Sequence, residues 1–222
     1  MKLKHRKGFT LIELLVVIAI IAVLSVVVIL SLNPAELLRQ ARDSNRISDM
    51  ATLKSALGLY LADVSAPFMG TTSNCYVGIG VSSSFNTPTT TGTWANVSDC
   101  KAWFVAATGT LVTSTGRGIG ASSTSTAGNG WIPVNFSAIS SGAPLGQEPV
   151  DPVNQQGTCT GSLPTVSLSS CGLFYSYEAY NTVFKLAAFM ESTKYSTGTQ
   201  GVQSVDGGLN DFVYEQGTNL AL

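Results

Sequence analysis

The sequence predicts an α+β protein: a long N-terminal α-helix, membrane-spanning in its first half, packed on a small C-terminal antiparallel β-sheet. Three observations predict it. Residues Phe9 to Leu32 form a run of 24 with a single charge, Glu13. From Leu37 onward, Ile47, Met50, Leu53 or Lys54, Leu57, Tyr60 and Leu61 recur at the spacing of one helix face. After residue 149, Phe174-Tyr175-Ser176-Tyr177-Glu178 and Val183 to Glu191 flank a short turn-like segment, Ala179-Tyr180-Asn181-Thr182, as the two arms of a hairpin.

The apolar run comes first. At 1.5 Å per helical residue it reaches about 36 Å, enough to cross a hydrocarbon core of about 30 Å. Lys2, Lys4, Arg6 and Lys7 precede it. The positive-inside rule keeps such a flank in the cytoplasm and places everything after the span on the other side. Glu13 is the anomaly: a charge at the bilayer centre costs on the order of 3 kcal/mol on insertion scales and marks a functional site with a partner. The competing account is a shallow carboxylate, about 6 Å along the helix from Phe9, that reaches the headgroups.

Lys7-Gly8, followed by Phe9-Thr10-Leu11-Ile12-Glu13-Leu14-Leu15-Val16-Val17-Ile18-Ala19-Ile20-Ile21, resembles the class III leader and N-terminal helix of type IV pilins and of type II secretion pseudopilins. The resemblance implies cleavage between Gly8 and Phe9 by a membrane prepilin peptidase, N-methylation of Phe9, and a role for Glu13 in guiding subunit assembly. It implies a leader over 1–8, a transmembrane and filament-core helix over 9–32, and an amphipathic continuation over 33–63. A variable Ser/Thr/Gly-rich region over 64–148 and a sheet with a C-terminal loop over 149–222 complete the division. The implied partners are other copies of the chain in a helical filament, the peptidase, a pilus or secretion assembly platform and, before assembly, the cytoplasmic membrane. The expected role is a structural subunit of an extracellular filament, with a secretion pseudopilin, or an uncleaved single-pass envelope protein, as alternatives.

Composition narrows the chemistry. The chain has 12 Lys+Arg against 13 Asp+Glu, and four of the cations lie in the leader, so the processed chain keeps 8 against 13. A basic nucleic-acid footprint is absent, and no specific nucleic acid is expected as a partner. The only histidine, His5, falls in the segment expected to be removed. Without imidazole, neither Ser-His-Asp nor Cys-His catalysis nor the common zinc sites can be built, and no enzymatic activity is expected.

Along the rest of the chain, Asn33 and Pro34 read as a helix break, Asn33 as N-cap and Pro34 at the first helical position, with Glu36 in the place of a capping-box acid. A continuous helix with a mild proline bend is the other reading. The amphipathic helix is expected to end near Ala62. Its charged residues Arg39, Arg42, Asp43, Arg46 and Asp49 are read as a face turned away from the core, the first four meeting solvent, lipid phosphates or neighbouring subunits. Residues 64–148 read mostly as small polar surface loops. Tyr76-Val77-Gly78-Ile79, Ala102-Trp103-Phe104-Val105 and Trp131-Ile132-Pro133-Val134 stand in them as short strands or loop anchors. Asn96-Val97-Ser98 and Asn135-Phe136-Ser137 fit an acceptor pattern for glycans too common by chance to assign.

Four cysteines, Cys75, Cys100, Cys159 and Cys171, lie in the exported part. An even number in an oxidising compartment points to disulfides. Three pairings exist, and proximity favours Cys75 with Cys100 and Cys159 with Cys171. The stretch Glu148-Pro149-Val150-Asp151-Pro152-Val153-Asn154 resembles a Pro-Asp-Pro patch that precedes the sheet in major pseudopilins. Phe184, Leu186, Ala188 and Met190 alternate onto one face, expected to pack on the amphipathic helix, and Phe212-Val213-Tyr214-Glu215 reads as a third strand. In Ser204 to Asp211, oxygen-bearing side chains separated by glycines make Asp206, Asn210 and Asp211 candidate calcium ligands, against an ordinary Gly-Asp turn. No cofactor is otherwise required.

Overall fold

A computed structural model describes residues 8–31, 33–71, 75–78, 86–88, 94–96, 118–120, 123–156, 172–196, 201–208 and 213–220. The chain divides into two compact units, residues 1–39 and 40–222.

In the first unit, helix α1 runs from Leu11 to Ser31. It is built from Leu, Ile, Val and Ala, with Ser25 folding its hydroxyl back onto the Ile21 carbonyl at 2.7 Å. A second helix, α2, begins at Pro34 and extends to Asp63. The two are separated by a break. Asn33 has φ 41°, a left-handed conformation that asparagine tolerates and that a continuing helix forbids. Its carbonyl accepts the first bonds of α2, from the N–H groups of Glu36 (3.0 Å) and Leu37 (3.3 Å). Proline at the first position of α2 loses no bond, because that N–H has no intrahelical partner.

In the second unit the remainder of α2 lies on a five-stranded sheet. Its strands are β1 (Cys75–Val77), β4 (Gly118–Gly120), β7 (Tyr175–Tyr180), β8 (Val183–Ala188) and β9 (Tyr214–Gly217), in the order β4-β1-β7-β8-β9. Each of the last four is antiparallel to its neighbours among them; β4 joins the edge parallel to β1. Two further ribbons pair β2 (Asn86–Pro88) with β3 (Trp94–Asn96), and β5 (Gln155–Gln156) with β6 (Gly172–Leu173). The β7–β8 hairpin turns on Asn181 and Thr182, with Asn181 at φ 54°. Its first arm matches the expected run to within two residues, and its second ends at Ala188, three residues before the expected Glu191. The last strand begins later than read from the sequence, at Tyr214, and Phe212 lies outside the described residues.

The core forms between sheet and helix. Met50, Leu53, Leu57 and Tyr60 of α2 cluster with Phe184, Leu186 and Ala188 of β8 and Tyr175, Tyr177 and Ala179 of β7. Period-two and helical patterning thus meet where the sequence placed them. The segment 131–139 adds Trp131, Ile132, Val134, Phe136 and Ile139 to the same core. Its Trp-Ile-Pro-Val run is a set of loop anchors and not a strand, closed by a 3₁₀ turn, Phe136–Ala138. The opposite sheet face is covered as well. Lys185, Ala187 and Glu215 are buried there, and α4 (Val202–Val205), which follows the short α3 (Thr193–Ser196), packs against β9.

Candidate functional site

The expected processing and assembly residues open the first unit. Thr10 precedes the first residue of α1 and Glu13 stands three residues later, and the two close a capping box. The Thr10 N–H and hydroxyl both donate to Glu13 Oε2 at 2.8 Å, and the Glu13 N–H donates to the Thr10 hydroxyl at 3.3 Å. Thr-x-x-Glu at a helix start is a readable signal, and it gives Glu13 a capping role beside the assembly role that the resemblance implies. The carboxylate therefore has an intramolecular role of its own. Gly8 and Phe9 lie just outside the helix and are exposed, Phe9 to 88%. Every described side chain from Gly8 to Ile29 is exposed, so α1 has an apolar surface on all sides and buries none of it within the chain. Leu11–Ile29 is the one described helix long and apolar enough to cross a membrane.

A family model for the prokaryotic N-terminal methylation motif matches residues 3–29. The match covers the N-terminal motif alone, and it supports the resemblance to type IV pilins and pseudopilins. No curated protein and no solved structure matches the chain. The α+β architecture, with an apolar N-terminal helix and a helix on a mainly antiparallel sheet, is pilin-like in class.

The charged face of α2 departs most from expectation. Arg46 is fully buried. It meets Asp151 in a two-pronged pair, Nε to Oδ2 at 2.6 Å and Nη2 to Oδ1 at 2.8 Å. Its Nη1 donates to Asp43 Oδ1 and to Glu191 Oε2, both at 2.7 Å. Arg42 pairs with Glu191 through two bonds of 2.7 and 2.9 Å. Asp43, also fully buried, takes the N–H and hydroxyl of Ser192 at 2.8 and 2.6 Å. Burial pushes the Glu191 carboxyl up, but hydrogen bonds from Arg42 and Arg46 outweigh it and hold it below the ordinary range. Arg42, Asp43 and Arg46 are thus not a solvated or lipid-facing patch. The Asp151 loop and the segment after β8 fold back over this part of the helix. Only Arg39, in the first unit and loosely paired with Glu36 at 3.8 Å, is largely exposed. Periodicity could not show this, because the covering carboxylates are more than 100 positions away in sequence.

The remaining candidates are placed as follows. Cys75 opens β1 and is disulfide-bonded; Cys100, Cys159 and Cys171 lie outside the described residues, so the pairing is not fixed. Asp206 has both carboxylate oxygens engaged by backbone, Oδ1 by the Gly208 N–H at 2.8 Å and Oδ2 by the Glu215 N–H at 2.6 Å. It ties the loop to β9. Asn210 and Asp211, its fellow candidate ligands, lie outside the described residues, as do leader positions 1–7 and Ala102 to Val105.

Proposed function

We propose that this chain is a structural subunit of a type IV pilus-like extracellular filament, cut between Gly8 and Phe9, methylated on Phe9 and assembled through α1. One observation carries the reading. Helix α1 is apolar all round and exposed all round, as membrane residence first and helix packing in a filament core afterwards require. Before processing, the body stands outside the cytoplasm and α1 is in the bilayer; on assembly, lipid contacts are exchanged for contacts with α1 of other copies.

Glu13 sets the register in this account. Its Oε2 is held by Thr10, which fixes the side chain at the start of the helix. Oε1 is left to accept a charge-assisted bond from the Phe9 amine of an adjacent subunit, a pair that offsets the burial of both charges. The partners are then the prepilin peptidase, an assembly platform and the chain itself. The stretch from Glu148 to Asn154, with its resemblance to major pseudopilins, favours a second reading, a short periplasmic secretion pseudopilus.

Electron microscopy of sheared surface filaments, with peptide identification, tests the proposal. Filaments containing this chain are expected in wild type and are expected to be lost in Glu13→Ala, while the body remains folded and membrane-extractable. A wild-type surface without such filaments, in cells that secrete folded substrates through this chain, would favour the pseudopilus. Normal filament yield from Glu13→Ala would overturn the register role.

A further inference from the structure

The segment 123–150 contains the only Asn-Gly step of the chain, Asn129-Gly130. Its surroundings explain why glycine stands at 130. A side chain there would run into the Glu148 carboxylate and the Ser125 carbonyl oxygen, so the position excludes a Cβ. Glu148 lies over it, completely buried, with Oε2 accepting the Ile132 N–H at 3.0 Å. No such constraint falls on Asn129. It is exposed, it occupies a turn entered through Gly128 at φ 83°, and its side chain makes no hydrogen bond among the described residues.

We infer that Asn129 is a site of spontaneous deamidation, giving aspartate and isoaspartate on the surface of the mature body. The Gly130 nitrogen, next to a Cα that carries no side chain of its own, loses its proton to solvent and attacks the Asn129 side-chain carbonyl carbon. The new C–N bond closes a five-membered succinimide as the C–NH₂ bond breaks and ammonia leaves. Water then opens either carbonyl of the ring, so the net change is loss of ammonia and gain of water, with no redox step. Asparagine belongs to the thermolabile residues for this reason.

The chain supplies its own contrast. Asp206-Gly207 is the one Asp-Gly step and could close the same ring with loss of water. There both carboxylate oxygens are held, by the N–H groups of Gly208 and Glu215. The structure therefore protects one glycine-flanked acid derivative and leaves the other open. Reaction at Asn129 has a structural consequence: isoaspartate routes the backbone through the side chain, lengthening it by one carbon at the point where Gly130 fits beneath Glu148.

The test is peptide mapping of the intact mature protein after incubation at mildly alkaline pH and physiological temperature, with the same protein denatured in parallel. The expected result is a one-dalton gain and isoaspartate at Asn129 ahead of every other asparagine in the folded sample, absent at that position in Asn129→Ser. An unchanged Asp206-Gly207 peptide is expected alongside. If the denatured sample converts at Asn129 while the folded sample does not, the turn protects the step and the inference fails.

Discussion

Glu148 is a carboxyl group with few partners among the described residues: Oε2 accepts from Ile132, while Oε1 is buried with no hydrogen bond to any of them. Burial dominates and pushes its pKa up to about 8, against the pull of the Ile132 and Trp131 N–H groups. The folded state therefore holds the neutral acid at neutral pH, whereas the unfolded chain ionises near 4.5. Because the folded value is the higher one, the unfolded chain binds fewer protons between those pH values. The contribution of Glu148 is complete below about 4.5 and falls by about 1.4 kcal/mol per pH unit until the folded group also ionises near 8. Glu148→Gln keeps an acceptor for the Ile132 N–H and removes the titration. Denaturant unfolding at a series of pH values should show the wild-type body losing stability from pH 5 to pH 8 relative to Glu148→Gln. Parallel curves for the two proteins would contradict the assignment.

At the scale of elements, α2 is held on one side by apolar packing and on another by the Arg46 network. Burying a guanidinium costs several kcal/mol, and only its three carboxylate partners offset that. Arg46→Ala leaves Asp43 and Asp151 buried without their counter-charge, an expected loss of about 3–5 kcal/mol. Against a total stability of roughly 5–15 kcal/mol for a domain, this removes a large share of it. Arg39→Ala, at an exposed and loosely paired position, should change stability by less than about 1 kcal/mol. Equal midpoints for these two variants in urea unfolding would refute the buried network. The apolar face of α2 and the β8 face were legible, because Met50, Leu53, Leu57 and Tyr60, and Phe184, Leu186 and Ala188, carry the period of their own element. The polar face was not. Arg42, Asp43 and Arg46 have the composition of a solvated face, and what buries them is tertiary. The break at Asn33 was half legible, since Asn-Pro is equally at home in a bend; the left-handed φ decides it.

For the whole molecule, the sequence read cleanly at both ends and poorly in the middle. The N-terminal residues carry a motif dense enough to be recognised locally, and the sheet repeats a simple alternation. Between them, three tyrosines do what no local pattern announces. The hydroxyls of Tyr60, Tyr76 and Tyr177 fix the backbone of Phe68, Thr71 and Met69 at 3.1, 2.8 and 2.8 Å, and so steer the chain from α2 into β1. Trp131 likewise anchors a loop of small polar residues, with its indole N–H on the Pro149 carbonyl at 2.9 Å. In the proposed function, processing, anchoring and alignment rest on the few residues from Gly8 to Glu13 in the other unit, and the body is the folded load they carry. The most direct test of that account is the intact mass of the protein extracted from membranes or sheared filaments. The account predicts a chain that begins at Phe9 and carries one added methyl group. A chain that retains residues 1–8 without methylation would contradict it.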